Sequence, residues 1–372
     1  MSYRGLMPKT FTCCVGDVTV RRRYYASRDC DCKVVPWDDW AGIPPGHKLT
    51  VQARRMAALA GSGCSFDEAS DKLWELCQLR ISNDVVRRVC DEEGEQAGRW
   101  LKEATAPAEA MAAAQGEVEF YTDGVQVNTV DGWREMRVSV FAKRLAAAPA
   151  EPAEWDRRVL EKPGCRVAWA AIAASHVVGA SWGRMLGQLG LKDTPRLSVL
   201  GDGARWIWDE AAKRFKAVVN VDWVVDVYHV IEHVNDCGKT MFGAGTPQAA
   251  AWGTSRVEEL IELEGPKFIE RLRECRAAAD DKIGQDALDA LINYLSENRD
   301  SLWYRTRLAQ GLPIGSGLVE GTCKNLIGKR LKLNNPRWRV RRAEHMAALR
   351  CLQYSKLWEA YWASKTPQKA VA

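Results

Sequence analysis

Residues 197–234 read LSVLGDGARWIWDEAAKRFKAVVNVDWVVDVYHVIEHV. Leu197 to Leu200 is a short apolar run of the kind that a buried strand shows. Asp202, set between Gly201 and Gly203, ends it. Ala204 to Phe215 has helical periodicity, and Ala217 to Val221 is β-branched again. Strand, helix and strand in so short a span predict a β-α-β unit, which needs a parallel pair and a covered sheet. GDGARW lacks the full glycine fingerprint of a dinucleotide-binding turn.

Reading outward, Val118 to Tyr121 is strand-prone and leads through Asp123 into a predicted hairpin. Trp133 to Phe141 alternates at Met136, Val138 and Val140, as a half-buried strand does. Arg166 to Ile172 is a third strand and Ser181 to Leu189 a helix. Three β-runs followed by β-α-β give an α/β fold in the order of an RNase H-like domain, with a mixed sheet spanning 116–234. Residues 235–312 turn helical and charged, with no strand signal, and read as a helical insertion. Residues 313–365 read as C-terminal catalytic and basic helices. Residues 48–105 are helical. Within them, Ser65 to Leu76 and Ser82 to Glu93 are amphipathic segments joined by CQLRI, with Ser82 as an N-cap. They predict a helix-turn-helix whose second helix enters a major groove, or a plain helical hairpin. Residues 1–45 are basic, Cys-bearing and strand-prone, and end in the breakers Gly42, Pro44, Pro45 and Gly46.

Three acids occupy positions suited to metal chemistry. Asp123 and Asp202 follow strands, and Glu320 in IGSGLVEG lies just inside a helix that Ser316 would cap. Two strand ends and a helix start bring distant carboxylates into one pocket, and hard divalent cations take oxygen ligands. Among 48 acidic residues, a glycine-flanked Asp is commonly a turn residue, and Glu320 with Lys324 is also an ordinary i,i+4 pair. The joint pattern carries the reading. Further on, His229-x-x-Glu232-His233 fits a zinc-protease pattern. That alternative lacks a third ligand and competes with Asp226-x-x-His229.

Charge is distributed unevenly although the net value is only +5. Lys324, Lys329, Arg330, Lys332, Arg337, Arg339, Arg341 and Arg342 fall between Gly321 and Ala343 with no acid among them. Arg4, Lys9, Arg21, Arg22, Arg23, Arg28 and Lys33 crowd the first 35 residues. Basic stretches flanking clustered acids fit a polyanion. Lys324, Lys329, Arg330, Lys332, Arg337 and Arg339 are the expected DNA contacts, the first four meeting phosphates if the helix of Glu320 continues. Trp338, between Arg337 and Arg339, either stacks on a base or fills a core. The first residues lack a charged leader and apolar run, and Val167 to Trp182 is too short and mixed to span a membrane. The expectation is a cytoplasmic, nucleoid-associated protein. The twelve cysteines then read as reduced thiols. Cys13, Cys14, Cys30 and Cys32 are the one group resembling a zinc site, with poor spacing for a knuckle.

Seven blocks run in order over residues 8–362: PKTFTCCVGDVTVRRRYY, SFDEASDKLWELCQLRISNDVVRRV, FYTDGVQV, GWREMRVSVF, LGDGARWIWDEA, VDVYHVIEHV, and GLPIGSGLVEGTCKNLIGKRLK followed by RW. In these the chain resembles a bacterial insertion-sequence transposase of the DDE class, ISKra type. The last block is the most specific. The resemblance implies that Asp123, Asp202 and Glu320 are catalytic and hold two Mg²⁺ ions, with Mn²⁺ able to substitute. It implies that Asp226 and His229 form a supporting D-x-x-H element. It implies metal-dependent cleavage and strand transfer at element ends, with DNA as partner and a homo-oligomer on it. Such proteins carry two C-x-x-C knuckles. Here the second is reduced to Cys30-Asp31-Cys32 and the first would lie upstream of Met1, so a catalytically inactive DNA-binding remnant is the alternative function.

Overall fold

In the computed structural model, which describes residues 1–27, 30 and 32–366, the chain divides into two units. One gathers Met1–Ala106, Gln126–Arg134 and Lys324–Ala372; the other holds Pro107–Val125 and Glu135–Cys323. Residues 313–365, grouped together by sequence, are thus parted after Cys323. Arg28 and Asp31 lie outside the described residues.

The first unit opens with a ribbon. Strand β1, Ser2–Cys13, pairs antiparallel with β2, Gly16–Ala26, and β3, Lys33–Val34, pairs antiparallel with β2. Gly16 closes the connection at φ +106°, a backbone region that favours glycine. Cys30 and Cys32 are bonded to each other, while Cys13 and Cys14 are free. The expectation of reduced thiols throughout is corrected here for that pair.

Helices follow at Val51–Gly63, Phe66–Cys77 and Asn83–Glu103. Thr50 and Ser65 cap the first two, each accepting from the backbone N–H three residues on. Ser82 sits at the third N-cap but its side chain makes no capping bond. That helix runs ten residues past the expected Glu93. Its inner face is Val86, Val89, Cys90, Gly94, Ala97 and Leu101, and it packs on the helix Val340–Tyr354. Gly94 permits the crossing, because a Cβ there would lie 2.3 Å from the His345 carbonyl oxygen. The amphipathic periodicity beyond Glu93 is interrupted by Gly94 and Gly98, which read as breakers and serve as packing positions. Between Cys323 and Lys332 the backbone is wound as a π-helix, and Trp338 is buried with its indole N–H donating to Leu331 O.

The second unit is built on a five-stranded mixed sheet. Its strands are β4, Glu117–Thr129; β5, Gly132–Arg144; β6, Cys165–Ala171; β7, Leu197–Gly201; and β8, Val221–Val225, in the order β6-β5-β4-β7-β8. β5 and β6 are antiparallel, whereas β4, β7 and β8 run parallel. The last strand begins four residues later than the sequence predicts. Val219 is 85% exposed, and pairing with β7 starts only at Val221. The helix expected from Ser181 starts at Ser175 and ends at Gln188. Gly179 disguises its first turns, yet a Cβ at Gly179 would meet Glu210 Oε2 at 2.4 Å, so the position lets the helix close on Arg205–Arg214.

Alternation along β4 sets the two faces of the sheet. Val118 and Phe120 join an aromatic core with Phe141, Trp182 and Phe215, ring centroids of Phe120 lying 4.8–5.0 Å from the other three. On the opposite face Glu119, Ser198 and Asp222 stand in register on β4, β7 and β8. Arg144 pairs with Glu119 at 3.1 Å, and buried Arg307 donates to Ser198 and Asp222. Those bonds fasten the helix Tyr304–Ala309 to the sheet. Helices follow at Val227–Phe242, Pro247–Ala277, Lys282–Glu297 and Tyr304–Ala309. The longest breaks at Glu264, whose φ is +63°, just before Pro266.

Candidate active site

Parallel register brings three aspartates to one level. Tyr121 pairs with Leu200, and Leu200 with Val224. Two residues further along each chain stand Asp123, Asp202 and Asp226. Neighbouring strands are about 4.8 Å apart, so the three backbones line up at the carboxyl ends of β7 and β8, where α/β sheets collect ligands.

Each aspartate is held locally. Asp123 Oδ1 accepts from Gly124 N at 2.6 Å, and its Oδ2 lies 3.7 Å from the Cys323 thiol. Asp202 Oδ1 accepts from Ala204 N at 2.8 Å, forming a turn that starts the next helix. Gly203 is at φ +88°, and a Cβ there would crowd the Tyr294 hydroxyl at 3.2 Å. That hydroxyl donates to Asp202 O. Asp226 is 5% exposed and caps the helix Val227–Phe242 by accepting from Tyr228 N at 2.9 Å.

Ser316 differs from its expected role. It occupies the N-cap position of the helix Gly317–Thr322 that carries Glu320, but its side chain does not cap that helix. Its hydroxyl donates instead to Asp226 Oδ2. The segment Gly315–Ser316 therefore ties the Glu320 helix to β8. A Cβ on Gly315 would approach Tyr228 at 3.1 Å and Asp226 Oδ1 at 3.3 Å.

The electrostatics are those of crowded carboxylates. Burial raises the Asp123 carboxyl above its ordinary pKa; the Gly124 N–H opposes this and Asp202 adds to it. Burial also raises Glu320, with Asp226, Asp123 and Glu232 each pushing the same way. Burial and the nearby Asp123 raise the Cys323 thiol. Among the described residues none of Asp123, Asp202, Asp226 and Glu320 makes an ion pair, whereas buried Glu119 and half-buried Asp222 on the same sheet each pair with arginine. All four offer hard oxygen donors, the chemistry a divalent cation takes. No three His, Cys, Asp or Glu side chains among the described residues already stand as a metal-binding group.

His229 lies on the same helix with Nδ1 3.4 Å from Glu232 Oε2, and its ring is 5.5 Å from that of His233. His233 stacks on Tyr294 at 3.9 Å. The zinc-protease alternative thus finds one histidine engaged by a ring and the other by a carboxylate. Tyr294 and Cys323 carried no signal in the sequence, whereas Tyr228 stood out within the segment between Asp226 and His229.

The six basic residues expected to meet phosphate separate into two sets in the first unit. Lys324, Lys329, Lys332, Arg337 and Arg339 are exposed. Arg330 is 5% exposed, donates to Gly61 O at 2.9 Å, and lies over the rings of Phe66 and Trp338. Its expected phosphate contact is corrected: the side chain is part of the core. No protein-family model and no curated protein sequence matches the chain.

Proposed function

We propose that the protein is a DDE-class DNA transposase, with Asp123, Asp202 and Glu320 as its catalytic acids on an RNase H-like sheet. The observation that carries this reading is the alignment of Asp123, Asp202 and Asp226 at one level of three parallel strands, with Glu320 coupled to two of them and no cation among the described residues paired to any. The strand order, with three antiparallel strands leading into two parallel ones, supports it.

Asp123, Asp202 and Glu320, with Asp226 beside them, are the residues that would hold Mg²⁺ or Mn²⁺. Bound divalent ions would supply activation of the attacking oxygen and stabilisation of the leaving oxygen during in-line displacement. Ser316 and the Tyr228 N–H fix both oxygens of Asp226. Asp202 is oriented by the Ala204 N–H. The first nucleophile is water and the second the freed 3′-OH, so no covalent enzyme intermediate is formed. His229 supports the site from the helix that Asp226 begins. The exposed lysines and arginines of 324–339 bind the DNA backbone.

The test is nicking of a labelled fragment carrying the element's own ends, with wild type beside Asp202→Asn. Mg²⁺-dependent cleavage by wild type alone is expected. Binding without cleavage by either protein would overturn the enzymatic reading in favour of a DNA-binding remnant.

A further inference from the structure

Tyr294 comes from the helical insertion, yet it joins the chain segments of two of the candidate acids. It lies on the helix Lys282–Glu297, which Asp281 caps by accepting from Gly284 N at 2.7 Å. Leu288, Leu291, Ile292 and Leu295 form the buried face of that helix, and Tyr294 stands half-buried beside them. The helix packs on Val227–Phe242, which Asp226 begins, and on Pro247–Ala277.

Two contacts run from this tyrosine toward the carboxylates. Its hydroxyl donates to Asp202 O at 3.4 Å. Its ring stacks on His233, centroids 3.9 Å apart and planes at 26°, and His233 sits two turns into the helix that Asp226 caps. Burial raises the Tyr294 phenol, and Asp202, Asp226 and Glu232 push the same way, so the hydroxyl keeps the proton it donates. The end of the insertion helix is pinned at the same place. Buried Asn298 accepts from the Trp208 indole N–H at 3.1 Å and donates to Tyr294 O at 3.0 Å. Trp208 belongs to Arg205–Arg214, the helix that the Asp202 turn starts. The bare Gly203 admits this approach: a Cβ there would stand 3.2 Å from the Tyr294 hydroxyl and 3.4 Å from Asn298 Oδ1.

The orientation of Asp202 follows its backbone, because Oδ1 is held by Ala204 N two residues on. Tyr294 and Asn298 hold that backbone from outside. Asp226 is fixed separately, by Ser316 and Tyr228 N. Resting on the metal-dependent reading of these acids, we infer that Tyr294 is a positioning residue through which the insertion sets the spacing between Asp202 and Asp226, and so fits the site to a small divalent cation. Mg²⁺ demands near-ideal octahedral geometry at about 2.0–2.1 Å, whereas Ca²⁺ accepts roughly six to eight oxygens at about 2.3–2.6 Å in flexible arrangements. A site whose carboxylates drift apart therefore loses Mg²⁺ first.

The experiment measures melting temperature against Mg²⁺ and, separately, Ca²⁺ concentration on the full chain without DNA, which gives an apparent Kd for each ion. Wild type is compared with Tyr294→Leu, Tyr294→Phe, His233→Ala and Asp202→Asn, each checked by circular dichroism. Tyr294→Leu removes both contacts and should weaken Mg²⁺ about tenfold, the lower end of what losing a partner behind a metal ligand costs. Its Ca²⁺ affinity should change less than about twofold, given the looser demands of that ion. Tyr294→Phe keeps the stack, His233→Ala keeps the hydroxyl, and each should show a smaller shift of the Mg²⁺ to Ca²⁺ ratio in the same direction. A ratio equal to wild type in Tyr294→Leu overturns the inference, whether both affinities stay or both fall together. Should Tyr294→Leu misfold, an unchanged ratio in both Tyr294→Phe and His233→Ala overturns it as well. Mg²⁺ binding by Asp202→Asn as tight as wild type would sink the metal-site reading itself and the inference with it, whereas loss in Asp202→Asn alone sinks only the inference.

Discussion

At the scale of single residues, the charge state of the acids is the testable quantity. Burial and mutual repulsion raise Asp123 and Glu320. A carboxyl whose folded pKa is raised contributes stability below its unfolded pKa and loses it as pH rises through the folded value. At neutral pH both charges therefore cost stability. Asp123→Asn and Glu320→Gln should melt at or above the wild-type temperature at pH 7, and the difference should shrink as pH falls toward 4. Both should lose all cleavage. Mg²⁺ should raise the melting temperature of wild type by mass action and do so less in either variant. A variant that melts well below wild type at pH 7 would show that the acid is a structural partner. Arg330 and Lys332 make a second contrast. Lys332→Ala should weaken DNA binding and reduce the salt slope by about 1. Arg330→Ala should instead lower the stability of the first unit by about 1–3 kcal/mol, as a buried, hydrogen-bonded cation over two rings is lost.

At the scale of elements, glycine positions decide how helices meet. Gly94 and Gly98 lie one turn apart on the same helix. A Cβ at Gly94 would stand 2.3 Å from backbone His345 O, but one at Gly98 would sit 3.7 Å from Ala348 Cβ, an ordinary contact. Gly98→Ala should be neutral or stabilising by up to about 1 kcal/mol, from helix propensity alone. Gly94→Ala should destabilise by about 1–3 kcal/mol, both read from urea midpoints. The same residues explain what was legible beforehand. The apolar runs before Asp123 and Asp202, each acid followed by glycine, let those two be marked, although β4 does not end at Asp123 as expected but runs on to Thr129. The first turns of Ser175–Gln188 did not show, because Gly179 serves a neighbour 31 positions away that no local pattern reveals. Ser316 was read as a cap from spacing, and its actual partner, Asp226, is distant in sequence. The π-wound stretch Cys323–Lys332 also escapes a 3.6-residue reading, so Arg330 turned inward while Lys329 and Lys332 remained outside.

At the scale of the whole molecule, Glu93 ties remote stretches of the first unit together. It is 1% exposed, pairs with Arg54 at 2.6 Å, accepts from the Tyr361 hydroxyl at 2.7 Å, and meets Lys365. Burial pushes its carboxyl up, but Arg54 and Lys365 outweigh this and the net shift is downward. Its contribution is therefore present above the ordinary glutamate range and lost as pH falls through the lowered value. Glu93→Gln should unfold more readily at pH 7 by about 3–5 kcal/mol, the cost of stripping one partner from a buried pair, with the gap narrowing in acid. A melt at pH 7 equal to wild type would show that the pair contributes nothing. No helix among the described residues is long and apolar enough to cross a membrane. The first unit draws on three separate stretches of chain, the last beginning at Lys324, while the second ends at Cys323. During synthesis, then, every carboxylate of the candidate site has been translated before the basic stretch and the Lys365 end of the Glu93 cluster exist. A nascent chain halted at Cys323 would carry the acids without the exposed cations of 324–339, which the ribosome adds only after every acid of the site.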